Sequence, residues 1–347
     1  MKKKVSIVGT VGLPACYGGW ETLVHNITLS KSENVSYEIY CSKKAYEKKL
    51  AEFNGAKLTY LPFSANGVSS IIYDIASLVH CWKTKPDVVL ILGVSGCVFL
   101  PIFRFFSKSK VITNVDGIEW KRNKWSRLAK AFLKFSESIA VKFSDTVVAD
   151  NQGIYEYLES AYSIKSEIIA YGGEHALTSD VLVNDSGYFL SICRIEPENN
   201  IEMILDSFSQ SGEKLKFVGN WQSSTYGIEL KSKFEGFKNI EIIEPIYELS
   251  KLFELRRSCT GYIHGHSVGG TNPSLVEIMH FGKQIYNFDC VFNRYTTENH
   301  ALYFKCKKSL QEIICENKKV SSNSTMKEIA ENRYTWQVVT SQYEYLY

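Results

Sequence analysis

With 347 residues, 45% of them hydrophobic, the chain is long enough to form one large or two medium domains. Its formal net charge of +3 is too small to indicate nucleic-acid binding, and it carries no DNA- or RNA-binding motif, so we expect no nucleic-acid partner. Nine scattered cysteines with no C-x-x-C pair favour reduced thiols in a cytoplasmic protein, and they argue against a disulfide framework or a zinc site.

Short apolar runs alternate with helical patterns along the first half of the chain. The predicted strands are residues 4–8, 35–41, 58–61, 88–92, 110–114 and 146–150. The predicted helices are residues 20–30, 69–82, 125–143 and 153–160. Because strands alternate with helices, we expect a parallel, doubly wound sheet with helices on both faces.

Two apolar stretches resemble targeting or membrane segments. The run 5–8 ends at a glycine and is too short for a signal peptide, so it is predicted to be a buried strand. The window 88–106 is interrupted by two glycines, a proline and an arginine. A membrane helix needs about 20 mostly apolar residues, so this window favours a strand, a loop and a short buried helix.

A second alternating series begins near Gly187. Its predicted strands are residues 188–192, 215–218, 240–243, 261–263 and 284–287, and its predicted helices are 200–210, 228–234, 249–258 and 273–281. The segment 171–186 is rich in Gly, Ser, Asp and Asn and is a predicted linker, and residues 321–324 form a predicted loop before a last helix, 326–347. We therefore expect domains at 1–172 and 173–325, facing a cleft, followed by that helix.

Loops at the carboxyl ends of strands are the candidate ligand sites in such sheets. The loop 9–22 is too long for a dinucleotide fingerprint, which counts against a nicotinamide enzyme. Its Gly18 and Gly19 allow close approach of a ligand to the backbone, or simply form a flexible loop. Asp116 and Glu119, after the strand 110–114, are candidates for binding sugar hydroxyls or acting as a base; the alternative is an Asp-Gly turn with a surface Glu.

Two further loops carry candidate donor-binding residues. Arg194 follows the strand 188–192 and could pair with a diphosphate; an ion pair with Glu196 or Glu198 is the alternative. Gly219 follows the strand 215–218 and could let a nucleotide approach the backbone, although an ordinary Gly-Asn turn explains this loop better when it is taken alone.

The run 264–277 is the most informative stretch, because a strand leads through a Gly-rich loop into a helix. Asn272 is a predicted N-cap with Pro273 at the first helical position, a start that favours a bound phosphate. Glu277 could accept hydrogen bonds from ribose hydroxyls. The candidate donor-binding residues of this run are His264, His266, Gly269, Gly270, Thr271, Asn272, Ser274 and Glu277. A plain strand-to-helix turn is the alternative.

The segment 121–135 is basic and amphipathic. Trp125, Leu128, Phe132 and Phe135 fall on one helical face, between lysines and arginines that include Lys124. Such a helix either lies on an anionic membrane surface or packs its apolar face into the core.

Five runs together resemble the retaining GT-B glycosyltransferases of family 4, and within it the bacterial rhamnosyltransferase-like subgroup. They are residues 18–22 (GGWET), 115–122 (VDGIEWKR), 194–200 (RIEPENN), 264–277 (HGHSVGGTNPSLVE) and 289–294 (DCVFNR). The resemblance implies two Rossmann-like domains, with the acceptor in the first domain, the donor mainly in the second, and a C-terminal helix crossing back to the first.

Residue roles also follow from the resemblance. It implies that Arg194 binds phosphate and Glu277 the ribose, with Asp116, Arg194 and Glu277 as the catalytic set. The family's first Glu would stand at Gly269 and is missing, and its phosphate-binding Lys is replaced by Asn199. A protonated His264 or His266 could then supply the lost charge.

The implied reaction moves L-rhamnose from dTDP-rhamnose, with retention, onto a lipid-linked oligosaccharide in O-antigen or capsule synthesis. A UDP-hexose or UDP-N-acetylhexosamine donor is one alternative, and a non-catalytic nucleotide-sugar-binding module is another. The sequence has no D-x-D pair, so no metal or other cofactor is expected. We expect a cytoplasmic protein, with peripheral contact to the inner membrane surface.

Overall fold

A computed structural model describes residues 2–15, 18–122, 125–178, 186–316 and 323–347. It divides into two compact units: unit 1 is Met1–Tyr171 with Trp336–Tyr347, and unit 2 is Gly172–Thr335. The predictions made for Lys124, for 321–322 and for residues 179–185 of the linker lie outside the described residues, as does the middle of the loop 9–22.

Unit 1 is built on an eight-stranded sheet. Its strands are β1 (Lys3–Val8), β2 (Val35–Ser42), β3 (Glu52–Phe53), β4 (Ala56–Leu61), β5 (Val88–Leu92), β6 (Lys110–Asn114), β7 (Thr146–Ala149) and β8 (Glu167–Ile168). The strand order is β3-β4-β2-β1-β5-β6-β7-β8, and only the β3–β4 pair is antiparallel. β1 pairs with β2 on one side and β5 on the other, so the strand order reverses between β1 and β5.

Unit 2 carries a six-stranded, wholly parallel sheet. Its strands are β9 (Phe189–Ile192), β10 (Leu215–Val218), β11 (Ile240–Ile243), β12 (Gly261–His264), β13 (Gln284–Phe288) and β14 (Leu302–Phe304). The order β11-β10-β9-β12-β13-β14 reverses between β9 and β12. Large buried aromatics such as Phe208, Phe217 and Trp221 fill one side of this sheet.

The helices follow the strands as the alternating pattern predicts. They are α1 (Gly19–Ser30), α2 (Ser69–Thr84), α3 (Leu100–Phe106), α4 (Arg127–Phe143), α5 (Gln152–Tyr162), α6 (Ile201–Ser211), α7 (Thr225–Phe234), α8 (Leu249–Ser258), α9 (Pro273–Met279), α10 (Val291–Thr296), α11 (Lys307–Cys315), α12 (Asn323–Arg333) and α13 (Trp336–Leu346). Sequence reasoning missed β3, β8, β14, α10 and α11, which are short or lie near the ends of the sheets.

The single helix predicted over 326–347 is wrong, because two helices occupy this segment. The carbonyl oxygen of Tyr334 accepts hydrogen bonds from the Gly173 N–H at 2.8 Å and from His280 Nε2 at 3.1 Å. These two hydrogen bonds interrupt the helix at Tyr334. α12 remains in unit 2 and begins at Asn323, within the predicted loop, while α13 belongs to unit 1 and packs against α1.

The window 88–106 forms β5, a loop, a short 3₁₀ turn and α3, as predicted. The prediction that its helix is buried is wrong in part. Leu100 and Phe103 are buried, whereas Ile102, Phe105 and Phe106 are exposed. Among the described residues, no helix combines the length and apolar character needed to cross a membrane, and no disulfide joins two described cysteines.

Candidate functional site

The strand reversal in unit 2 gathers several of the predicted donor-binding residues at one edge of the sheet. In open parallel sheets, ligands bind outside the carboxyl ends of the strands where the strand order reverses. Arg194 follows β9 directly beyond Cys193, and His264 is the last residue of the adjacent β12. The loop that carries Gly269 to Asn272 then leads from β12 into α9.

Asn199 joins the two loops that flank this reversal. Its Nδ2 donates to the carbonyl oxygen of Arg194 at 2.7 Å, which leaves Oδ1 facing His266 Nδ1 at 2.6 Å. Because an amide oxygen only accepts, His266 Nδ1 must carry a proton. Asn199 is buried, so the residue that replaces the family's lysine serves as an internal tie between loops.

Other bonds hold the same loop from neighbouring elements. The backbone N–H and hydroxyl of Ser267 both donate to the carbonyl oxygen of Glu198, at 3.0 and 2.8 Å. Asn200 Nδ2 donates to Gly265, and Asn293 Nδ2 donates to His266, both at 2.8 Å. The loop after β12 is therefore fixed before any ligand binds.

His264 is neutral in this environment. Burial lowers its pKa to about 3, with a smaller contribution from His266. A charge supplied by a protonated His264 therefore does not fit this site, and the same role for His266 remains a prediction. Its Nε2 and both polar side-chain atoms of Asn287, its partner in register on β13, lack hydrogen-bond partners among the described residues.

The start of α9 follows the sequence prediction. Asn272 Oδ1 accepts from the Ser274 N–H at 3.1 Å and from the Ser274 hydroxyl at 2.9 Å, and Pro273 is the first helical residue. The cap satisfies one of the free N–H groups, so less of the helix end is available to an anion than the sequence suggested. Thr271, just before the cap, is buried.

Gly269 has a structural reason to be glycine. Its φ of +115° lies in the left-handed region that side chains rarely adopt, and a Cβ there would lie 3.4 Å from His266 Nε2. A Glu at Gly269 would strain this backbone. The absence of the family's Glu at this position is therefore consistent with the backbone conformation of the loop. Gly270 follows in the same loop.

Glu277 is held by two side chains that sequence reasoning missed. Its Oε2 accepts a hydrogen bond from the buried guanidinium of Arg256 on α8, and its Oε1 lies 3.3 Å from His175 Nε2. Burial alone would raise the pKa of Glu277, but Arg256 and His175 outweigh it and lower the pKa. Arg256 and Phe253 are three residues apart and both lie on the buried face of α8. This spacing was the sequence signal that could have indicated that Arg256 is buried.

Arg194 is the cationic side chain that extends from this edge. It is 51% exposed, and its Nη2 lies 4.0 Å from Glu196 Oε2, at the outer limit of an ion pair. The predicted alternative pairing with Glu196 thus exists but is long. Arg194 remains accessible to an anion.

Gly219 is closely packed by its own unit. A Cβ at this position would lie 2.4 Å from Ile195 Cδ1 and 2.8 Å from the carbonyl oxygen of Cys193. A glycine is therefore required for packing against the loop after β9. A further role in admitting a nucleotide remains a prediction.

The glycines of the first loop support a buried carboxylate. Gly18 has a φ of +141°, and a Cβ there would lie 2.0 Å from Glu21 Oε2; α1 begins at Gly19. Glu21 Oε1 accepts from the Thr10 hydroxyl at 2.9 Å and the Val11 N–H at 2.7 Å. Glu21 is thus a positioning residue for the loop after β1.

Asp116 and Glu119 have different local settings. Asp116 has a φ of +64°, and its N–H donates to Asn114 Oδ1 at 2.9 Å, the geometry of the predicted Asp-Gly turn. Glu119 Oε2 pairs with Arg122 at 3.2 Å, and its Oε1 accepts from Trp125 Nε1 at 3.0 Å. Glu119 therefore binds its own loop, and a role for either carboxylate in acceptor binding remains a prediction.

Residues 2–174 match a family described as a domain of unknown function, DUF1972. Comparison with the sequences of curated proteins gives no match. Among solved structures, sucrose-phosphate synthase from Thermosynechococcus elongatus matches with a TM-score of 0.83 at 11% identity, covering 100% of this chain and 98% of that chain.

Anabaena HepE in complex with UDP-glucose matches with a TM-score of 0.76 at 14% identity, covering 100% of this chain and 99% of that chain. The lipopolysaccharide outer core galactosyltransferase WaaB matches with a TM-score of 0.69 at 15% identity, over 99% of this chain and 98% of that chain. The chain has the GT-B fold. The expected fold class is confirmed.

In unit 1, a further polar contact involves a loop for which the sequence predicted no role. Residues 93–96 follow β5, beside the reversal between β1 and β5 in unit 1. The Ser95 hydroxyl donates to Asp74 Oδ2 at 2.5 Å, and burial raises the pKa of Asp74 to about 7. Asp74 on α2 gave no signal in the sequence, because its partners lie on another element.

Proposed function

We propose that this chain is a glycosyltransferase whose unit 2 holds a nucleoside-diphosphate sugar. One observation carries the proposal: the half-exposed Arg194 extends from a loop beside the strand reversal, and that loop is tied to the loop after β12. A guanidinium and a fixed Gly-rich loop suit a diphosphate. The similar structures support this ligand class, since they include complexes of HepE with UDP and UDP-glucose, and of starch synthase IV with ADP and acarbose.

The proposed reaction retains the anomeric configuration. The bond between the anomeric carbon and the diphosphate oxygen breaks, the acceptor oxygen bonds to that carbon from the same face, and the acceptor proton passes to the departing diphosphate. The enzyme must then stabilise charge growing on the leaving group. Because His264 is neutral, this task falls mainly on Arg194 and the backbone N–H groups of the loop.

We propose that Glu277 orients the ribose and that Asp116 orients the acceptor hydroxyl. Glu277 suits this role because Arg256 and His175 keep it ionised and fix its position. A carboxylate has about four lone-pair positions, so it can still accept a bond from a hydroxyl.

For the donor we propose dTDP-L-rhamnose, and for the acceptor a lipid-linked oligosaccharide of O-antigen or capsule synthesis at the cytoplasmic face of the inner membrane. The family 4 and rhamnosyltransferase-like motifs support these assignments, together with Gly269 in place of the Glu that usually faces the sugar. We propose transfer without a metal. A UDP-hexose or UDP-N-acetylhexosamine donor is the alternative substrate.

The test is a mass-spectrometric assay of the purified chain with several nucleotide sugars and a synthetic prenyl-diphosphate sugar acceptor. We expect transfer from dTDP-rhamnose that persists in EDTA. We also expect Arg194→Ala to lower turnover at least about tenfold while the variant stays folded. Turnover of no donor would favour a non-catalytic binding module, and equal turnover by folded Arg194→Ala would reject the role of Arg194.

A further inference from the structure

Helix α3 exposes large apolar side chains to solvent. Phe105 is 83% exposed, and Ile102 and Phe106 are also exposed, while Leu100 and Phe103 face the core. The rings of Phe105 and Phe106 contact each other edge to face at a centroid distance of 4.9 Å. Two adjacent exposed phenylalanines are costly in water unless another apolar medium covers them.

Helix α4 packs against α3 and adds to the same apolar surface. Leu128 is 84% exposed and Phe135 is also exposed, whereas Ser136, Glu137 and Ala140 face the interior. The core-facing alternative is therefore wrong for Leu128 and Phe135, whereas Trp125 and Phe132 of the same apolar stripe are partly buried. We call Ile102, Phe105, Phe106, Leu128 and Phe135 the α3–α4 face.

The charges on these helices have one sign at the surface. The only acidic residue of α3 and α4 is Glu137, which is buried and accepts hydrogen bonds from the hydroxyls of Tyr157 and Tyr162 at 2.5 and 2.7 Å. Arg104 is paired with Asp145. The remaining basic residues on or next to the two helices are Lys108, Arg127, Lys130, Lys134 and Lys142.

We infer that the α3–α4 face docks on an anionic lipid bilayer, with its phenylalanines in the acyl boundary and the neighbouring lysines of the two helices among the headgroups. Apolar side chains beside a predominantly basic surface match the composition of interfacial membrane helices. Pairing with a second copy would bring equal positive charges together, which disfavours self-association. This inference rests on the location proposed above, the inner membrane surface, and deepens it by assigning the docking surface; its test does not require sugar transfer.

The test is flotation of the full chain with vesicles of phosphatidylcholine alone or with phosphatidylglycerol. We expect binding only to vesicles that contain phosphatidylglycerol, and weaker binding in high salt. Phe105→Ser with Phe106→Ser should lower partitioning at least about tenfold, because two partly buried phenylalanines are lost from the acyl boundary. The matched control is Leu29→Ser with Tyr345→Ser, two exposed apolar positions on α1 and α13.

A second pair of variants tests the charges. Lys130→Gln with Lys134→Gln should lower partitioning about tenfold or more without changing the apolar face. Equal binding by wild type and both variant pairs would overturn the inference, as would wild-type binding to neither vesicle. Analytical ultracentrifugation tests self-pairing. A wild-type dimer that does not bind lipid, and that dissociates in the Phe105→Ser with Phe106→Ser variant, would overturn the inference in favour of self-pairing.

Sugar transfer to a short water-soluble acceptor separates this inference from the proposed function. The phenylalanine variant should keep its transfer rate on such an acceptor while losing vesicle binding. Failure of transfer by the wild type would count against the proposed function and leave the vesicle result intact.

Discussion

Glu277 and Arg256 form an ion pair within unit 2 that the sequence did not reveal. Arg256 is buried, so removing its partner leaves an uncompensated charge. We predict that Glu277→Gln lowers the free energy of unfolding by about 3–5 kcal/mol. Denaturant unfolding measures this change.

The control for that substitution is Glu248→Gln, which removes an exposed pair with Lys251. Solvent screens an exposed pair of this kind, so its loss should change the stability little. Similar losses for Glu277→Gln and Glu248→Gln would contradict the assignment of the Glu277–Arg256 pair as buried and structural.

The buried carboxyl of Asp74 should make the stability of the protein depend on pH. Burial raises its pKa from 3.8 to about 7, although Ser95 and Gly96 donate hydrogen bonds to it. Between these pH values the folded state keeps a proton that the unfolded chain has lost. The stabilisation from this proton is therefore complete below the unfolded pKa and is lost as the pH rises towards the folded pKa.

Asp74→Asn should remove that dependence. Relative to wild type, the variant should gain stability between about pH 4.5 and about pH 8, since an amide does not titrate. Denaturant midpoints of both proteins across this range give the difference. A difference that stays constant with pH would show that the Asp74 carboxyl does not titrate as proposed.

At the scale of elements, Gly18 determines how the first loop meets α1. Its positive φ and the Glu21 carboxylate 2.0 Å from a Cβ both oppose a side chain. Gly18→Ala should therefore destabilise the protein by more than the about 1–2 kcal/mol of left-handed strain alone.

Gly67→Ala is the matched control in unit 1, since Gly67 has a φ of +63° and no atom near a Cβ. Thermal unfolding of the two variants compares the crowded, strained position of Gly18 with the open left-handed position of Gly67. Equal losses would mean that Glu21 moves aside at no cost.

Sequence periodicity predicted most of the long elements because each pattern is local. The helix start at Asn272 and Pro273 could also be predicted from the sequence, since a helix start depends on adjacent residues. The interruption of the C-terminal helix at Tyr334 could not be predicted from the sequence, because it depends on hydrogen bonds from Gly173 and His280, which are distant in sequence. For the same reason the partners of Glu277 and the exposure of α3 required the structure.

Across the whole molecule, the end of the chain completes unit 1. On α13, the Tyr343 hydroxyl accepts from Asn114 Nδ2 at 2.7 Å, and both residues are buried. Asn114 in turn holds the Asp116 turn through its Oδ1. Tyr343→Phe should cost about 1–3 kcal/mol, because it leaves a buried amide without its acceptor.

Tyr345→Phe is the control on the same helix, since Tyr345 is 90% exposed. Calorimetry of both variants tests this link between the C-terminal helix and the first sheet. A loss for Tyr343→Phe no larger than for Tyr345→Phe would contradict it.

The alternation of strands and helices was sufficient to predict two doubly wound sheets. It could not give the strand order, and therefore could not locate the reversals between β1 and β5 or between β9 and β12. The reversal between β9 and β12 explains why Arg194, just after β9, and His264, the last residue of β12, lie at the same edge of the sheet although many residues separate them in sequence.

Titration calorimetry of the full chain with dTDP, UDP and their sugars tests the central claim most directly. We predict binding of at least one nucleotide sugar, weakened about tenfold or more by Arg194→Gln, since a charge-assisted bond contributes about 1.5–3 kcal/mol. Arg127→Gln, which changes an exposed arginine of unit 1, should leave the affinity unchanged. Binding of no nucleotide, or equal affinity in wild type and Arg194→Gln, would contradict the account.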